Sequence, residues 1–383
     1  MVYSIPPFAS RDPRSNIALI KEHCCALDDV PAGEAPVSQD WSILVRKEVC
    51  VDRQESISLD DEEAERFRFA VQKYQGGKTQ SLPEVRLGCF HDATVEGLNF
   101  LITTCNNRII YESALLQRSV LEENGILDRV IRGKATRLPG SYYHLGHPCV
   151  HAYYHWMIEV LPRLAVLDKL SGFEALKVLL PQHLTAFQHA SLKAVGINPG
   201  RFAQIPGGDW RCEKLYFSEI PAPSGSPSPA AVSWLRSVFL NRGNQEVAQL
   251  DKRRIYLTRR DAPKRKIIND GEVIAFLERK GFEVVCATEL SLEEQIRTFE
   301  GAGIIIAPHG AGLTNIMFAS PGTIVIELFG DNYVNGCYWA LTNICSQHHA
   351  FLTSPTETLN FYVSIGRLQA LLEKVGRQLN TRF

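Results

Sequence analysis

A glycine-bearing segment, GIIIAPHGAGLTN at Gly303–Asn315, has the residue order of a phosphate site. An apolar run leads directly into a turn of small residues, and a helix is expected to follow. Free backbone N–H groups and the positive end of the helix dipole meet at such a helix start, and glycine lets the backbone approach a phosphate closely. The segment therefore predicts a phosphate site at Pro308–Asn315, although a tight strand-to-helix turn without a ligand would show the same pattern. The residues expected to line the site are His309, Gly310, Ala311, Gly312, Leu313, Thr314 and Asn315.

A basic loop, TRRDAPKRK at Thr258–Lys266, follows the strand-like run RIYLT. An arginine side chain presents a fork of N–H donors that matches phosphate oxygens, and a loop that leaves a parallel strand lies at the ligand-binding edge of the sheet. Several cations therefore lie near that edge: Arg259, Arg260, Lys264, Arg265 and Lys266. We expect the first three to contact the phosphate groups. The alternative is a solvated basic loop without a ligand. This alternative is less favoured for Arg259 and Arg260, because they lie closest to the strand end.

Glu327 ends the apolar run TIVIEL, which reads as the next buried strand. A carboxylate at the carboxyl end of a parallel strand points into the crevice where ligands bind, and there it can accept hydrogen bonds from a ribose diol. This position predicts a ribose contact for Glu327. The alternative is a solvated or salt-bridged strand end.

A histidine-rich segment, HLGHPCVHAYYHWMIEVLPR, spans His144–Arg163. Within it His151, His155 and Glu159 are spaced by four residues, so they would share one face of an α-helix. Either His155 or Glu159 could be a general base that takes a proton from an attacking hydroxyl. The same three groups could instead hold a metal ion or be structural. The sequence lacks the H-E-x-x-H pattern, so the acid–base reading is favoured and no metal site is predicted.

The positions of these segments depend on the helices and strands around them. In the second half of the chain, predicted helices and strands alternate. Buried strands separated by helices of about ten residues predict βαβ units and a parallel sheet that is covered on both faces. The helix expected from Pro148 should break or kink at Pro162, which has no N–H to donate. The expected strands are Arg254–Thr258, Phe282–Cys286, Gly303–Ala307 and Thr323–Leu328, and the expected helices are Asp60–Gln75, Asp270–Lys280, Ser291–Ala302, Gly310–Phe318 and Tyr362–Leu379.

The composition of the chain bounds its class. Its 383 residues are enough for two domains, and 41 basic against 42 acidic residues give no excess of positive charge for nucleic acid. The ten cysteines form no C-x-x-C pair, which indicates a reduced compartment. Without a recognisable signal peptide or spanning segment, we expect a cytoplasmic protein with at most peripheral contact at the inner face of a membrane.

The segments above resemble the family-61 glycosyltransferases, which include bacterial capsular-polysaccharide enzymes, plant xylan-modifying transferases and animal O-GlcNAc transferases. The resemblance spans about Ser141–Phe329 and rests on YYHWMIEVLPRL, RRIYLTRRDAPKRKIIND and IIIAPHGAGLTNIMFASPGTIVIELF. It implies an α/β fold of the GT-B type, with two Rossmann-like domains facing across a cleft. The expected domains are residues 1–240 on the acceptor side and 241–355 for the nucleotide sugar, with residues 356–383 as a helix that packs back on the body.

The resemblance also implies a function. It implies inverting transfer of a sugar from a nucleotide sugar, usually a UDP-sugar, to a hydroxyl of a glycan or lipid-linked glycan, as in surface or capsular polysaccharide synthesis. It implies no tightly bound cofactor and no required metal. Arg259 and the Pro308–Asn315 turn would hold the diphosphate and Glu327 the ribose, while His155 and Glu159 would face the acceptor. Many members have aspartate at the position of Glu159, which leaves the choice of base open. Further acceptor-side contacts are expected from His151, Tyr154 and Arg163.

Two other functions fit parts of the pattern. An NAD(P)-dependent oxidoreductase also uses a glycine-bearing strand-to-helix turn followed by an acidic strand end. However, Asn315 stands where the third glycine of G-x-G-x-x-G would be, and the basic loop and the His155–Glu159 face stay unexplained. A non-catalytic binder of sugar nucleotides is the other possibility.

Overall fold

The computed structural model describes residues 17–18, 41–97, 100–106, 108–114, 135–169, 176–205, 207–240 and 253–383. The chain forms two compact units. One comprises residues up to Val49 together with Leu82–Ser224, and the other comprises Cys50–Ser81 together with Gly225–Phe383. Residues 50–81 therefore group with the second half of the chain, whereas the predicted division at residue 240 puts them in the first.

The first unit is built on a nine-stranded mixed sheet. Its strands run in the order β1-β7-β6-β5-β11-β8-β9-β10, with β2 paired to β5. β5 pairs antiparallel with β11 and β2, whereas β11, β8, β9 and β10 run parallel. The strands up to residue 218 are β1 Ile17–Ala18, β2 Trp41–Arg46, β3 Val49–Asp52, β4 Thr79–Leu82, β5 Val85–Val95, β6 Ile102–Thr103, β7 Ile109–Ile110, β8 Ala135–His144, β9 Lys177–Pro181, β10 Phe202–Ile205 and β11 Asp209–Ser218; β3 pairs with β4 in a separate sheet.

The histidine-rich segment after β8 is not the α-helix that its spacing predicts. It forms a π-helix at His155–Val160 and then a 3-10 helix at Leu161–Lys169. The N–H of Leu161 donates to the carbonyl of Trp156, five residues earlier, and Pro162 has no N–H to continue either pattern. The predicted break at Pro162 is thus confirmed as a change of helix type. The α-helices up to residue 240 are α1 Asp61–Gln75, α2 Tyr111–Ala114, α3 Ala186–Ala194 and α4 Pro229–Leu240.

The second unit contains the predicted parallel sheet. Its five strands run in the order β13-β12-β14-β15-β16, all parallel, and every residue of β14 and β15 is buried. The strands are β12 Arg253–Leu257, β13 Glu283–Val285, β14 Ala302–Pro308, β15 Ile324–Gly330, β16 His348–Ser354, β17 Thr356–Glu357 and β18 Asn360–Phe361, of which the last two pair with each other. The helices are α5 Asp270–Glu278, α6 Leu292–Glu300, α7 Cys337–Ile344 and α8 Ile365–Leu379.

Both faces of this sheet are covered, as the continuous apolar strands predict. On one face α5 and α8 pack against alternate strand residues such as Ile306, Ile326 and Leu352. On the other face Phe67 of α1 and Trp339 of α7 pack on the next residues along, Phe329 and Phe351. The α/β class is confirmed, while the GT-B arrangement stays a prediction. No described helix is both long and apolar enough to span a bilayer.

Candidate functional site

The turn after β14 is built around a contact between Gly310 and Arg259. Gly310 is extended, with φ 178°, so its backbone does not require glycine. A Cβ placed on it, however, would lie 1.7 Å from Nη1 and 2.5 Å from Cζ of Arg259. The guanidinium lies directly over the backbone, so any side chain at position 310 would displace it. The helix that follows, Ala311–Phe318, is a 3-10 helix whose first hydrogen bond runs from Leu313 N–H to the Gly310 carbonyl.

A second guanidinium, that of Arg265, reaches the same region from the end of the basic loop. Arg265 has a left-handed φ of 59°, which is held by its N–H donating to the Leu359 carbonyl at 2.7 Å. The next residues continue the pairing, because Phe361 N–H donates to the Lys266 carbonyl at 3.1 Å. The loop is thereby tied to β18. The Arg265 guanidinium lies over the ring of Tyr333 with Cζ 4.9 Å from its centroid.

The two arginines form an uncompensated positive site, which we call the arginine pair. Within the described parts of the chain, neither makes an ion pair with a carboxylate, and the buried Nε of each has no hydrogen-bond partner. Burial and the charge of Arg265 lower the pKa of Arg259. The two guanidinium groups repel each other, and each has an unpaired N–H donor beside the start of a helix. These features are typical of a site that binds an anion.

His309 and Glu327 lie deeper than the turn. His309 Nδ1 is 2.5 Å from Glu327 Oε1, and the other oxygen, Oε2, is 3.0 Å from His349 Nε2. Glu327 is wholly buried and stands inside β15, which continues to Gly330, so the prediction that it ends its strand is wrong. A ribose diol would find no oxygen of Glu327 at the surface. The expected ribose contact stays a prediction that this geometry disfavours.

Other predicted phosphate ligands point elsewhere. Arg260 is exposed and pairs with Glu289 at 2.6 Å, and the side chain of Lys264 is exposed while its carbonyl accepts from Arg259. Asn315 is buried and donates to Gln295 Oε1 at 2.8 Å.

The rest of the turn serves packing. A Cβ on Gly312 would meet Leu257 Cδ2 at 2.9 Å, which shows how closely the turn packs on β12. Leu313 and Thr314 are wholly buried, and only Ala311 and Gly312 are partly exposed within Pro308–Asn315. Much of the turn therefore has the packing role that the ligand-free alternative describes.

In the first unit, Glu159 lies between two histidines. His155 Nδ1 is 2.6 Å and His147 Nε2 is 3.3 Å from Glu159 Oε2, while Oε1 accepts from Ser224 Oγ at 2.9 Å. The rings of His147 and His155 stack with centroids 5.5 Å apart. We call His147, His155 and Glu159 the histidine–glutamate cluster.

Hydrogen bonding fixes the proton positions in this cluster. His147 Nδ1 accepts from Cys149 N–H at 2.9 Å, so its proton is on Nε2, and burial lowers its pKa. Burial alone raises the pKa of Glu159, but the two imidazoles outweigh burial and hold that pKa below its usual range. Burial alone lowers the pKa of His155, and its hydrogen bond to the Glu159 carboxylate raises it overall. His155, with 29% of its side chain exposed, therefore donates through Nδ1 and leaves Nε2 to accept a proton.

The histidine–glutamate cluster also has the composition of a metal site. One possible ligand atom from each residue lies within 4.8 Å of the others. Among the described residues, this is the group of histidine and carboxylate side chains close enough to share a metal ion. An ion there would have to replace the N–H protons that now face Glu159, because both imidazoles point at the same oxygen. The donor set fits zinc, and the buried Nε2 of His147 has no hydrogen-bond partner among the described residues, since its 3.3 Å approach to Glu159 Oε2 is an ion-pair contact only.

Three predicted acceptor-side residues have other surroundings. His151 is exposed and lies in the turn before the helix, so it does not share a face with His155. Arg163 is buried and donates to the carbonyls of His144, Gly146 and Ser218, which is a structural role and corrects the expected acceptor contact. Tyr154 is buried with its ring edge-on to His155, at a centroid distance of 5.6 Å.

Sequence reasoning missed two residues of these sites, His147 and His349, and it did not distinguish Arg265 from the other cations of the basic loop. His147 arrives from the loop after β8, and its spacing to His155 matches no helical repeat. Arg265 is one of several cations in its loop, and only the pairing with residues 359–361 distinguishes it. His349 lies opposite Glu327 on the neighbouring strand, a relation that needs the strand register.

Comparison with known proteins agrees with the motifs. Residues 153–326 match the family model Glycosyltransferase 61. The EGF domain-specific O-linked N-acetylglucosamine transferases of Bos taurus and Gallus gallus are 30% identical over 142 residues and 31% identical over 140 residues. Each alignment covers 35% of this chain and 26% of the relative, so the chain spans about a quarter of the length of these curated relatives. The predicted resemblance to the glycosyltransferase 61 family is confirmed by this match over residues 153–326.

Proposed function

We propose that this protein is an inverting glycosyltransferase that takes a sugar from a UDP-sugar and transfers it to a hydroxyl of a glycan or lipid-linked glycan. The observation that carries the proposal is the arginine pair beside the Gly310 turn, two guanidinium groups that have no carboxylate partner among the described residues. The match to the Glycosyltransferase 61 model covers this turn and the His155–Glu159 segment together.

The second unit would bind the donor. Arg259 and Arg265 would hold the diphosphate, and the N–H groups of Ala311 and Gly312, which precede the first helical hydrogen bond, would point at its oxygens. As the bond to the sugar breaks, negative charge gathers on the departing diphosphate. Donors already fixed in place stabilise that charge at no cost of rearrangement.

The first unit would bind the acceptor, with His155 as the general base. Nε2 of His155 takes the proton of the acceptor hydroxyl while that oxygen attacks the anomeric carbon from the side opposite the diphosphate. The carbon–oxygen bond to the diphosphate breaks and the configuration inverts. Glu159 holds the tautomer through the 2.6 Å contact to Nδ1 and stabilises the imidazolium that forms. We assign the base to His155 and not to Glu159 because only 1% of Glu159 is exposed.

The GT-B fold implied by the resemblance assigns donor and acceptor to different domains, and we assign them to the second and first unit respectively. We also propose that neither donor binding nor sugar transfer requires a metal. The matched transferases act on protein domains, as their names state. For this chain we propose a surface or capsular polysaccharide as acceptor.

Thermal stabilisation of the purified protein by a panel of nucleotides, in EDTA, tests the proposal. A rise in Tm with UDP or with one UDP-sugar, followed by acceptor-dependent release of UDP, is the expected result. If the protein binds UDP or a UDP-sugar but releases no UDP with any acceptor of a wide panel, the result would favour a non-catalytic binder of sugar nucleotides.

The oxidoreductase alternative makes a separate prediction in the same panel, stabilisation by NAD or NADP alone. It also needs an acidic side chain that reaches the ribose, whereas Glu327 is wholly buried between His309 and His349. A nicotinamide-dependent rise in Tm with none for UDP would favour this alternative.

A further inference from the structure

Four side chains of the second unit form one hydrogen-bonded chain that ends beside the arginine pair. Ser56 Oγ is 2.6 Å from His349 Nδ1, and His349 Nε2 is 3.0 Å from Glu327 Oε2. Glu327 Oε1 is in turn 2.5 Å from His309 Nδ1. We call Ser56, His349, Glu327 and His309 the buried chain.

Strand register explains why these side chains meet. β14 and β15 pair Ala307 with Glu327, and β15 and β16 pair Glu327 with Phe351. His309 and His349 each lie two positions from those partners, so by alternation they share a sheet face with Glu327. Phe67 of α1 covers this face, with its ring stacked on His349 at 5.7 Å. The buried chain is thus sealed from solvent along most of its length.

The far end of His309 is open to a ligand. Its Nε2 has no hydrogen-bond partner among the described residues, and 7% of the side chain is exposed. His309 is followed directly by Gly310, over which Arg259 lies, and its ring is 5.3 Å from the rings of both Tyr333 and Tyr338. An anion held by the arginine pair would therefore lie near this nitrogen.

The charged and titratable groups around the chain favour its neutral form. Burial raises the pKa of Glu327 well above its usual range, against the opposing charge of Arg265. Burial, and then the charges of Arg265, Arg259 and His349, lower the pKa of His309. Burial lowers the pKa of His349 to about 3, and it raises the pKa values of Tyr333 and Tyr338. All these directions favour a protonated Glu327 between two neutral imidazoles.

We propose that Glu327 is a protonated positioning residue, which donates Oε1–H to His309 Nδ1 so that His309 presents Nε2–H to the bound diphosphate. The inference rests on the proposed function, because it needs an anion at the arginine pair. Every hydrogen bond then points the same way: Ser56 O–H to His349 Nδ1, His349 Nε2–H to Glu327 Oε2, Glu327 Oε1–H to His309 Nδ1. Each donor in such a row polarises the next. No proton is gained or lost when the anion binds.

The substitution Glu327→Gln separates this role from that of a carboxylate. A glutamine amide can donate to His309 Nδ1 and accept from His349 Nε2–H, as the protonated acid does, whereas it cannot supply negative charge. Glu327→Met has a similar size and neither group. The exposed side of β16 offers a control in His348→Gln, a half-buried histidine outside the buried chain.

The test is the affinity for UDP, measured by isothermal titration calorimetry in EDTA at pH 7. We expect Glu327→Gln and His348→Gln to bind within twofold of the wild type, and Glu327→Met to bind at least tenfold more weakly. A folded Glu327→Gln protein with at least tenfold weaker binding would overturn this inference and leave the diphosphate site standing. Failure of the wild type to bind UDP would overturn the proposed function and this inference with it.

If Glu327→Gln does not fold, as shown by the lack of a cooperative thermal transition, a measurement on the wild type tests the proposed tautomer of His309. Nitrogen-15 spectra of histidine-labelled wild type distinguish the two neutral tautomers. We expect His309 as the Nε2–H tautomer, and finding it as the Nδ1–H tautomer or as imidazolium would overturn the proposal.

Discussion

The guanidinium of Arg259 lies where the side chain of residue 310 would stand, since a Cβ on Gly310 would be 1.7 Å from Nη1. Glycine at this position therefore does not serve a special backbone angle but leaves room for a cation. The cation in turn has a buried Nε without a partner. A small residue and an unpaired charge that depend on each other in this way are explained by an anion that both would contact.

Gly310→Ala should displace the Arg259 side chain and weaken UDP binding. Since φ is 178°, alanine adopts the backbone without strain, so we expect at least a tenfold loss of affinity with a modest fall in Tm. Gly312→Ala is the matched control. Alanine keeps the backbone N–H of residue 312 that would face the diphosphate, while its Cβ would press on Leu257 Cδ2 at 2.9 Å. We therefore expect a cost of about 1–3 kcal/mol of stability and an affinity close to that of the wild type. Equal affinities of Gly310→Ala and Gly312→Ala for UDP would argue against a contact between Arg259 and the diphosphate.

Arg265→Ala should weaken UDP binding on the order of tenfold or more, and Arg265→Lys should restore only part of it, because lysine lacks the planar fork. The paired comparison is Arg260→Ala. Arg260 is exposed and pairs with Glu289, so we expect its loss to leave affinity within twofold. A larger effect at position 260 than at 265 would restore the original expectation from the sequence.

The pH profile of transfer should report His155. A base must be deprotonated to act, and the pKa of His155 is raised by Glu159, so kcat/KM should fall as the pH drops through a value above 6.5. Glu159→Gln removes the charge that raises this pKa, so the acidic limb should move to lower pH. The maximal rate should also fall on the order of a hundredfold or more.

His151→Ala is the control for that measurement, because His151 is exposed and outside the histidine–glutamate cluster. Its profile should coincide with that of the wild type. An acidic limb that stays in place in Glu159→Gln would exclude His155 as the titrating base.

Glu219, in the first unit, should make stability depend on pH. Burial raises its pKa to about 8, so the folded protein retains a proton that the unfolded chain releases near 4.5. Stability is therefore lost as the pH rises between these values, on the order of 1 kcal/mol per pH unit. Glu219→Gln should match the wild type in Tm at pH 4.5 and exceed it at pH 8.5. A difference in Tm that does not grow with pH would contradict the shifted pKa.

Local patterns predict the second unit well because its strands are buried on both faces and its helices are separated by regular turns. The apolar runs of β14 and β15 and the turn at Gly310 follow from neighbours in sequence. The pairing of His155 with Glu159 also follows, since a spacing of four residues brings side chains together on any helix with close to four residues per turn.

What sequence did not predict depends on contacts between distant segments. His147 reaches Glu159 from a loop, and Arg265 is selected from its basic loop by hydrogen bonds to residues 359–361. Glu327 was expected at a strand end, but its strand continues to Gly330, and the two histidines that enclose it come from segments distant in sequence. His151 lies in the turn before the helix begins, so the α-helical spacing that grouped it with His155 and Glu159 did not apply to it.

The most direct test of the account is the dissociation constant of UDP for wild-type protein and for Arg259→Ala, measured by calorimetry in EDTA. The account predicts saturable one-site binding by the wild type without metal, and at least tenfold weaker binding by Arg259→Ala with a Tm within a few degrees of the wild type. Binding of UDP that is equal in the two proteins would contradict the diphosphate site at Arg259 and Gly310.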